Sequence, residues 1–205
     1  MRTDVRLALT DSCPVSKDAM RNDDKMRADA RDNRARLVAI ARDALGHDPL
    51  VSLHAIAKLA GVGQGTLYRH FASREALVLA VYQDSIDELA ALAPRLLVEH
   101  PPLDALRLWT RRFSDYSRKK HGIANMVRAV MSDREFAATY QALASAVREL
   151  MQACAGTGAL AQPLDADDFL QLLALLTQLP DDPEGTAREA RLVEMAFRAM
   201  GPALG

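Results

Sequence analysis

The chain has 205 residues, 49% of them hydrophobic and 26% charged, with a formal net charge of −1. That is enough for one small and one medium domain with ordinary cores, and it excludes a wholly disordered, collagenous or disulfide-stapled chain. The two cysteines, Cys13 and Cys154, lie far apart and suit a reducing cytosol, and the five histidines form no i, i+4 pair and no cluster with cysteine. No metal or other cofactor is therefore expected. No window approaches transmembrane length, and charges interrupt the N-terminus before any apolar run long enough for export, so a cytoplasmic protein without a membrane partner is expected.

In chain order, residues 1–26 mix five positive and five negative charges with few large apolar residues. They predict a disordered tail, either inert or a phosphate-touching arm leading into Arg27, Arg31, Arg34 and Arg36. A first helix is predicted from about Arg31 to Leu45, with Leu37, Ile40, Ala41, Ala44 and Leu45 inward and Gly46 at its end.

The next stretch, Ser52 to Phe71, reads SLHAIAKLAGVGQGTLYRHF. Ser52 is placed to cap a short helix whose apolar face is Leu53, Ile56, Ala57 and Ala60. Gly61 follows where a helix ends in the left-handed region that glycine enters freely. After Val62, Gly63 and Gln64-Gly65-Thr66, Leu67 and Phe71 stand four apart and face inward together. Gln64, Thr66, Tyr68, Arg69 and His70 are left facing out, as groups able to reach base edges or phosphates. The glycines also suggest a nucleotide loop at first sight. That fingerprint needs a preceding strand, a third glycine and a later acidic residue, whereas here the preceding period is helical and position 66 is threonine. Ser73 then caps a long helix with Leu77, Val81, Ile86, Leu89 and Leu92 inward, ending near Pro94 and the Glu99–Pro102 linker.

With these segments in order, residues from about 31 to 89 resemble the DNA-binding region of the TetR family of transcriptional regulators. The carrying features are the helix Asn33–Leu45, the run IAKLAGVGQGTLYRHF and the Ser73–Leu77 helix start. The resemblance implies an all-α homodimer with a three-helix DNA-binding domain (27–75) and a larger ligand-binding and dimerisation domain (76–205). It also implies repression relieved by a small molecule. Two positions depart from the family pattern: Gly63, where a capping serine is frequent, and Arg74, where lysine is common. The charge distribution agrees. Eight Lys/Arg stand against five Asp/Glu from Arg27 to Glu75, and thirteen against seventeen from Ala76 onward, so the basic excess lies where DNA would release counterions.

For DNA contact, Gln64 and Thr66, with Gly65 between them, are expected near base edges. Tyr68, His70 and Arg74 are expected on phosphates, as are Ser52 and Lys58 on the bracing helix, while Arg69 can serve either role. Two such heads would read a double-stranded, palindromic operator.

Further on, Leu106, Trp109, Phe113 and Tyr116 mark an aromatic-rich helix, and Ile123–Met131 a shorter one. Asp133 opens a long helix carrying Phe136, Tyr140, Leu143, Val147, Leu150 and Met151 as far as Gly156-Thr157-Gly158. Two last helices are predicted at about Asp165–Leu179 and Thr186–Met200, either side of Pro180-Asp181-Asp182-Pro183. No segment alternates as a strand does, which makes the fold all-α. Phe169, Leu172, Leu173 and Leu176 form one stripe and Leu192, Val193, Phe197 and Met200 another. Both are expected in a dimeric four-helix bundle, with burial in their own subunit as the other reading. A pocket for an unknown small molecule is expected among Trp109, Phe113, Tyr116, Met126, Met131, Tyr140 and Met151, with Arg112, His121 and Asn125 as polar anchors. No catalytic pairing of nucleophile and base is found. An all-α enzyme and a helix-turn-helix module that binds only protein remain the alternatives.

Overall fold

Eight α-helices make up the described part of the chain. They are α1 (Lys17–His47), α2 (Leu53–Leu59), α3 (Gln64–His70), α4 (Arg74–Glu99), α5 (Pro102–Val130), α6 (Asp133–Gly156), α7 (Ala166–Leu176) and α8 (Pro183–Met200). The computed structural model describes residues 17–160 and 165–201, apart from the side chains of 17–25, 27 and 119–126. No strand occurs among the described residues.

The helix starts follow their capping chemistry. Ser52 accepts from the Ala55 N–H at 3.2 Å and Ser73 from the Ala76 N–H at 3.2 Å. Ser132 and Glu135 form a reciprocal capping box at the head of α6. Asp165 and Asp182 cap α7 and α8 through the amides of Asp167 and Gly185. Each side-chain oxygen satisfies a first-turn amide that has no partner within the helix.

Three boundaries differ from expectation. Helix α1 begins at Lys17 rather than Arg31, so residues 17–26, expected in the tail, are helical; residues 1–16 lie outside the described part. Helix α4 runs through Pro94 to Glu99. Pro94 sits on the exposed side, where water can satisfy the carbonyl its missing N–H would have bonded. Ile123–Met131 is not a separate helix but the last third of α5, because no glycine or proline interrupts the chain between Pro102 and Met131 apart from Gly122.

Helix α4 is the spine. It packs on α1 at its beginning and on α5 and α6 further along, α7 lies on α5 and α6, and α8 on α7. Leu37, Val38 and Ala41 of α1 meet Ile56, Leu67, Phe71, Leu77 and Val78 in the head of the molecule, all nearly inaccessible to water. In the body, Leu89, Ala93, Leu106, Trp109, Val147 and Leu150 form the corresponding core. Removing these side chains from water supplies the main stabilisation of both parts. Among the described residues no helix is long and apolar enough to cross a membrane.

Candidate nucleic-acid interface

The reading unit is built around one glycine and two apolar anchors. Gly61 has φ +66°, the left-handed turn expected of it, and the Val62 amide bonds back to the Ala57 carbonyl at 3.0 Å. This turn brings α3 across α2, with Leu67 and Phe71 buried beneath it. Arg36 of α1 donates to the Ala60 carbonyl at 2.8 Å, closing the C-terminal end of α2, and the Arg34 guanidinium lies 5.0 Å from the Phe71 ring centroid. These two arginines, grouped by sequence with a phosphate-touching arm, hold the head together. Nothing in the local pattern distinguished them from Arg31.

The opposite face of α3 is open. Gln64, Gly65, Tyr68 and Arg69 are exposed, Tyr68 at 51%, and Thr66 and His70 are half-covered, His70 against the ring of Phe71. Arg69 folds back along its own helix, its Nε donating to the Gly65 carbonyl at 3.2 Å and a terminal nitrogen to Thr66 Oγ at 3.1 Å. The first turn of α3 is therefore covered by a guanidinium that a stronger acceptor, a guanine edge or a phosphate, can draw outward. Lys58 is exposed in the last turn of α2, and Ser52 Oγ is engaged as the cap of that helix.

Arg74 is placed differently from expectation. Its Nε donates to the Val51 carbonyl at 3.4 Å and a terminal nitrogen to the Pro49 carbonyl, so the guanidinium ties the start of α4 to the loop before α2. A long flexible cation beside a row of loop carbonyls satisfies both, so Arg74 braces the loop that leads into α2. Gly63 caps α3 in an extended conformation (φ −69°, ψ 149°) and offers no side chain to its first-turn amides.

A Cβ built on Gly65 meets nothing within 4 Å. Gly65→Ala is expected to stabilise α3 by up to about 1 kcal/mol, because glycine is the poorer helix former. If the bare backbone there lies against DNA, the same methyl weakens binding, so thermal midpoint and operator affinity should move in opposite directions. Rising stability with undiminished affinity would take Gly65 out of the contact surface.

The head is joined by α4 to a cavity of about 280 Å³ in the body. Tyr82 and Ile86 line it from α4, Phe113, Tyr116 and Ser117 from α5, Phe136, Thr139, Tyr140 and Leu143 from α6, and Leu170, Ala174, Thr177 and Gln178 from α7 and its end. Burial pushes the phenols of Tyr82 and Tyr116 above their ordinary range, leaving them neutral hydroxyls. Tyr140 donates to the Asp167 carbonyl at 3.2 Å. Among the described residues no Lys, Arg, Asp or Glu lines this cavity.

Of the expected pocket residues, Phe113, Tyr116 and Tyr140 line the cavity. Trp109, Met131 and Met151 do not; they are buried in the core, and the Trp109 indole donates to the Leu89 carbonyl at 2.8 Å. Arg112 is exposed and does not line the cavity. The side chains of His121, Asn125 and Met126 lie outside the described residues. Ile86 was read from sequence only as part of the inward face of the long helix, and Tyr82 was not singled out; its polar tip beside that apolar face was the available signal.

The expected dimer stripes divide as well. Phe169, Leu173, Phe197 and Met200 are buried within the subunit, Phe169 and Phe197 edge to face with ring centroids 6.0 Å apart. Leu176, Leu192 and Val193 are half-buried, and Leu172 is 38% exposed. The large apolar groups left outside are Leu175, 68% exposed, and Met195, 63% exposed.

Comparison with known proteins decides the family. Residues 50–81 match the model described as bacterial regulatory proteins of the tetR family, and residues 101–202 match that of the C-terminal domain of SbtR-like transcriptional regulators. The solved TetR transcriptional regulator SCO0520 of Streptomyces coelicolor is 36% identical, with a TM-score of 0.72 over 83% of this chain and 99% of that one. The chain belongs to the TetR family. A TetR transcription regulatory protein of Mycobacterium vanbaalenii is 29% identical, with a TM-score of 0.70 over 86% of this chain and 99% of that one. An HTH-type transcriptional regulator of Staphylococcus aureus is 41% identical over 64 residues, so the chain matches about a third of that curated relative (35%) and 30% of itself. As a TetR-family member, the chain is a transcriptional regulator with a helix-turn-helix DNA-binding unit, and α2–α3 is that unit.

Proposed function

We propose that this TetR-family regulator works as a homodimeric repressor that reads a palindromic operator and releases it when an uncharged, largely apolar small molecule occupies the body cavity. The observation that carries the reading is the continuity of α4. One unbroken helix supplies Leu77 and Val78 to the core beneath α3, and Tyr82 and Ile86 to the cavity wall. A ligand that favours one placement of α4 changes the affinity of the head for DNA, and DNA changes the affinity for the ligand by the same factor. The ligand class follows from the wall: aromatic and aliphatic groups with a few neutral hydroxyls and one amide favour an apolar body with one or two hydrogen-bonding groups.

The dimer reading is supported by Leu172, Leu175 and Met195, which leave apolar area on the outer faces of α7 and α8. A test joins the two parts. The purified chain is titrated against the DNA flanking its own gene at two salt concentrations, and its mass in solution is measured alongside. A sequence-specific shift is expected, together with a mass twice the 22.4 kDa of one chain. Leu175→Glu, which sets a charge in the proposed interface, should halve the mass and abolish tight operator binding. A monomeric parent chain, or no specific shift at either salt, would overturn the reading.

A further inference from the structure

The contact between α1 and α4 is apolar at its head end and charged further along. Arg42, near the end of α1, spreads its guanidinium between two carboxylates one turn apart on α4, donating to Glu88 Oε2 at 2.5 Å and to Asp84 Oδ2. Its Nε is buried and has no hydrogen-bond partner among the described residues. Burial disfavours the charge, but Glu88 and Asp84 outweigh it, so Arg42 stays firmly cationic. A dry donor is costly, so the arrangement is favourable only while both carboxylates stay in reach.

This clasp stands between the cavity and the reading unit. On α4, Asp84 and Glu88 alternate with Tyr82 and Ile86, which line the body cavity. On α5, burial and the neighbouring Tyr82 push the Tyr116 phenol up while the Arg42 charge draws it back, so the guanidinium is within electrostatic reach of a cavity-lining ring. On α1 itself, Arg36 donates to the Ala60 carbonyl and Arg34 lies over the Phe71 ring. Arg36 and Arg42 are six residues apart, about 9 Å along one helix axis. Helix α1 is therefore fastened at one stretch to the end of α2 and the end of α3, and at the next to the helix that walls the cavity.

Stability is not what the clasp supplies. The side chains of Arg42, Asp84 and Glu88 are 34%, 43% and 62% exposed, and ion pairs that open contribute little net free energy. The apolar contacts of Leu37, Val38 and Ala41 hold α1 in the core. Those contacts are non-directional, whereas a forked guanidinium on two carboxylates sets a register. We propose that Arg42 is a positioning residue that couples the cavity to the reading unit, making α1, and with it α2 and α3, follow α4 when the cavity wall shifts. This inference rests on the reading that cavity and operator site are linked, and adds a second arm, through α1, to the course of α4 itself.

The experiment needs no small molecule, because coupling is reciprocal and operator binding must be felt at the cavity. Trp109, the chain's single tryptophan, stacks on the cavity-lining Phe113 and reports the change by fluorescence. The full chain and its variants are titrated with the DNA flanking its own gene; operator affinity, Trp109 emission at saturation and melting temperature are read together. Saturating operator is expected to change the emission of the parent chain. Arg42→Ala should keep operator affinity within about 3-fold and melt close to the parent, yet lose at least about three quarters of the emission change. Arg42→Lys, which keeps the charge without the fork, should restore part of it, and Asp84→Asn with Glu88→Gln should match Arg42→Ala. An emission change undiminished in Arg42→Ala would overturn the proposal and leave the coupling to α4 alone. Operator affinity and melting temperature falling together would make Arg42 a structural staple, which also overturns it. No specific operator binding, or no emission change in the parent, would instead sink the linkage on which the proposal rests, and the proposal with it.

Discussion

Trp109→Ala is expected to lower the free energy of unfolding by about 3–5 kcal/mol, the range for deleting a buried tryptophan side chain. Trp109 is inaccessible to water, stacks on Phe113 with centroids 5.6 Å apart, and donates its indole N–H to the Leu89 carbonyl across the α4–α5 contact. The substitution leaves a void in the packing that holds α4 against the body and removes the hydrogen bond with it. Urea unfolding followed by circular dichroism measures the loss. The comparison is Phe136→Ala at the cavity wall, where the ring is already 44% exposed and the cost should be much smaller. Equal costs would mean that Trp109 is not the packing centre its position indicates. As the chain's single tryptophan, it also reports cavity occupancy by fluorescence, through its stacked neighbour Phe113.

The second large effect separates two arginines that look alike in sequence. Arg69→Ala removes a side chain bonded only to its own helix, so stability should change by no more than about 0.5 kcal/mol. If Arg69 reads a guanine, operator affinity should fall by about 1–3 kcal/mol, roughly 5- to 150-fold, with altered preference at one base pair. Arg74→Ala, by contrast, cuts the tie from α4 to the Pro49 and Val51 carbonyls and should lower the melting temperature. Its affinity loss should be alike for every operator and leave the salt slope unchanged, whereas a lost phosphate contact reduces that slope by about one. Salt-dependent binding isotherms of both variants, run beside their melting curves, check the division. A salt slope lowered in Arg74→Ala at unchanged stability would return that residue to the phosphates.

The head was legible from sequence because each of its devices is local. Ser52 and Ser73 cap within three residues of themselves, and Gly61 takes the conformation that only glycine enters cheaply. The reach of α4 past Pro94 was not, since tolerance of an internal proline depends on which side faces water, a tertiary property. The two apolar stripes divide between subunit core and surface for a related reason. Helical period identifies Phe169, Leu172 and Leu173 as one apolar face but cannot say where the subunit's own core stops, and that boundary falls between Phe169 and Leu172. Trp109 and Phe113 share a period and a chemistry, yet only Phe113 reaches the cavity, because the sequence does not disclose the depth of a side chain.

The unbroken course of α4 also sets a scale for switching. From Ile86 at the cavity wall to Arg74 at the head is about twelve residues, or about 18 Å of helix axis. A tilt of about 10° about the cavity end would carry the head sideways by about 3 Å, close to the rise of about 3.4 Å per base pair. In the symmetric pair proposed above the two heads would shift together, and the distance between recognition helices would change by up to nearly two base pairs. In the proposed reading, a tilt of that size at the cavity would put both half-sites out of register at once.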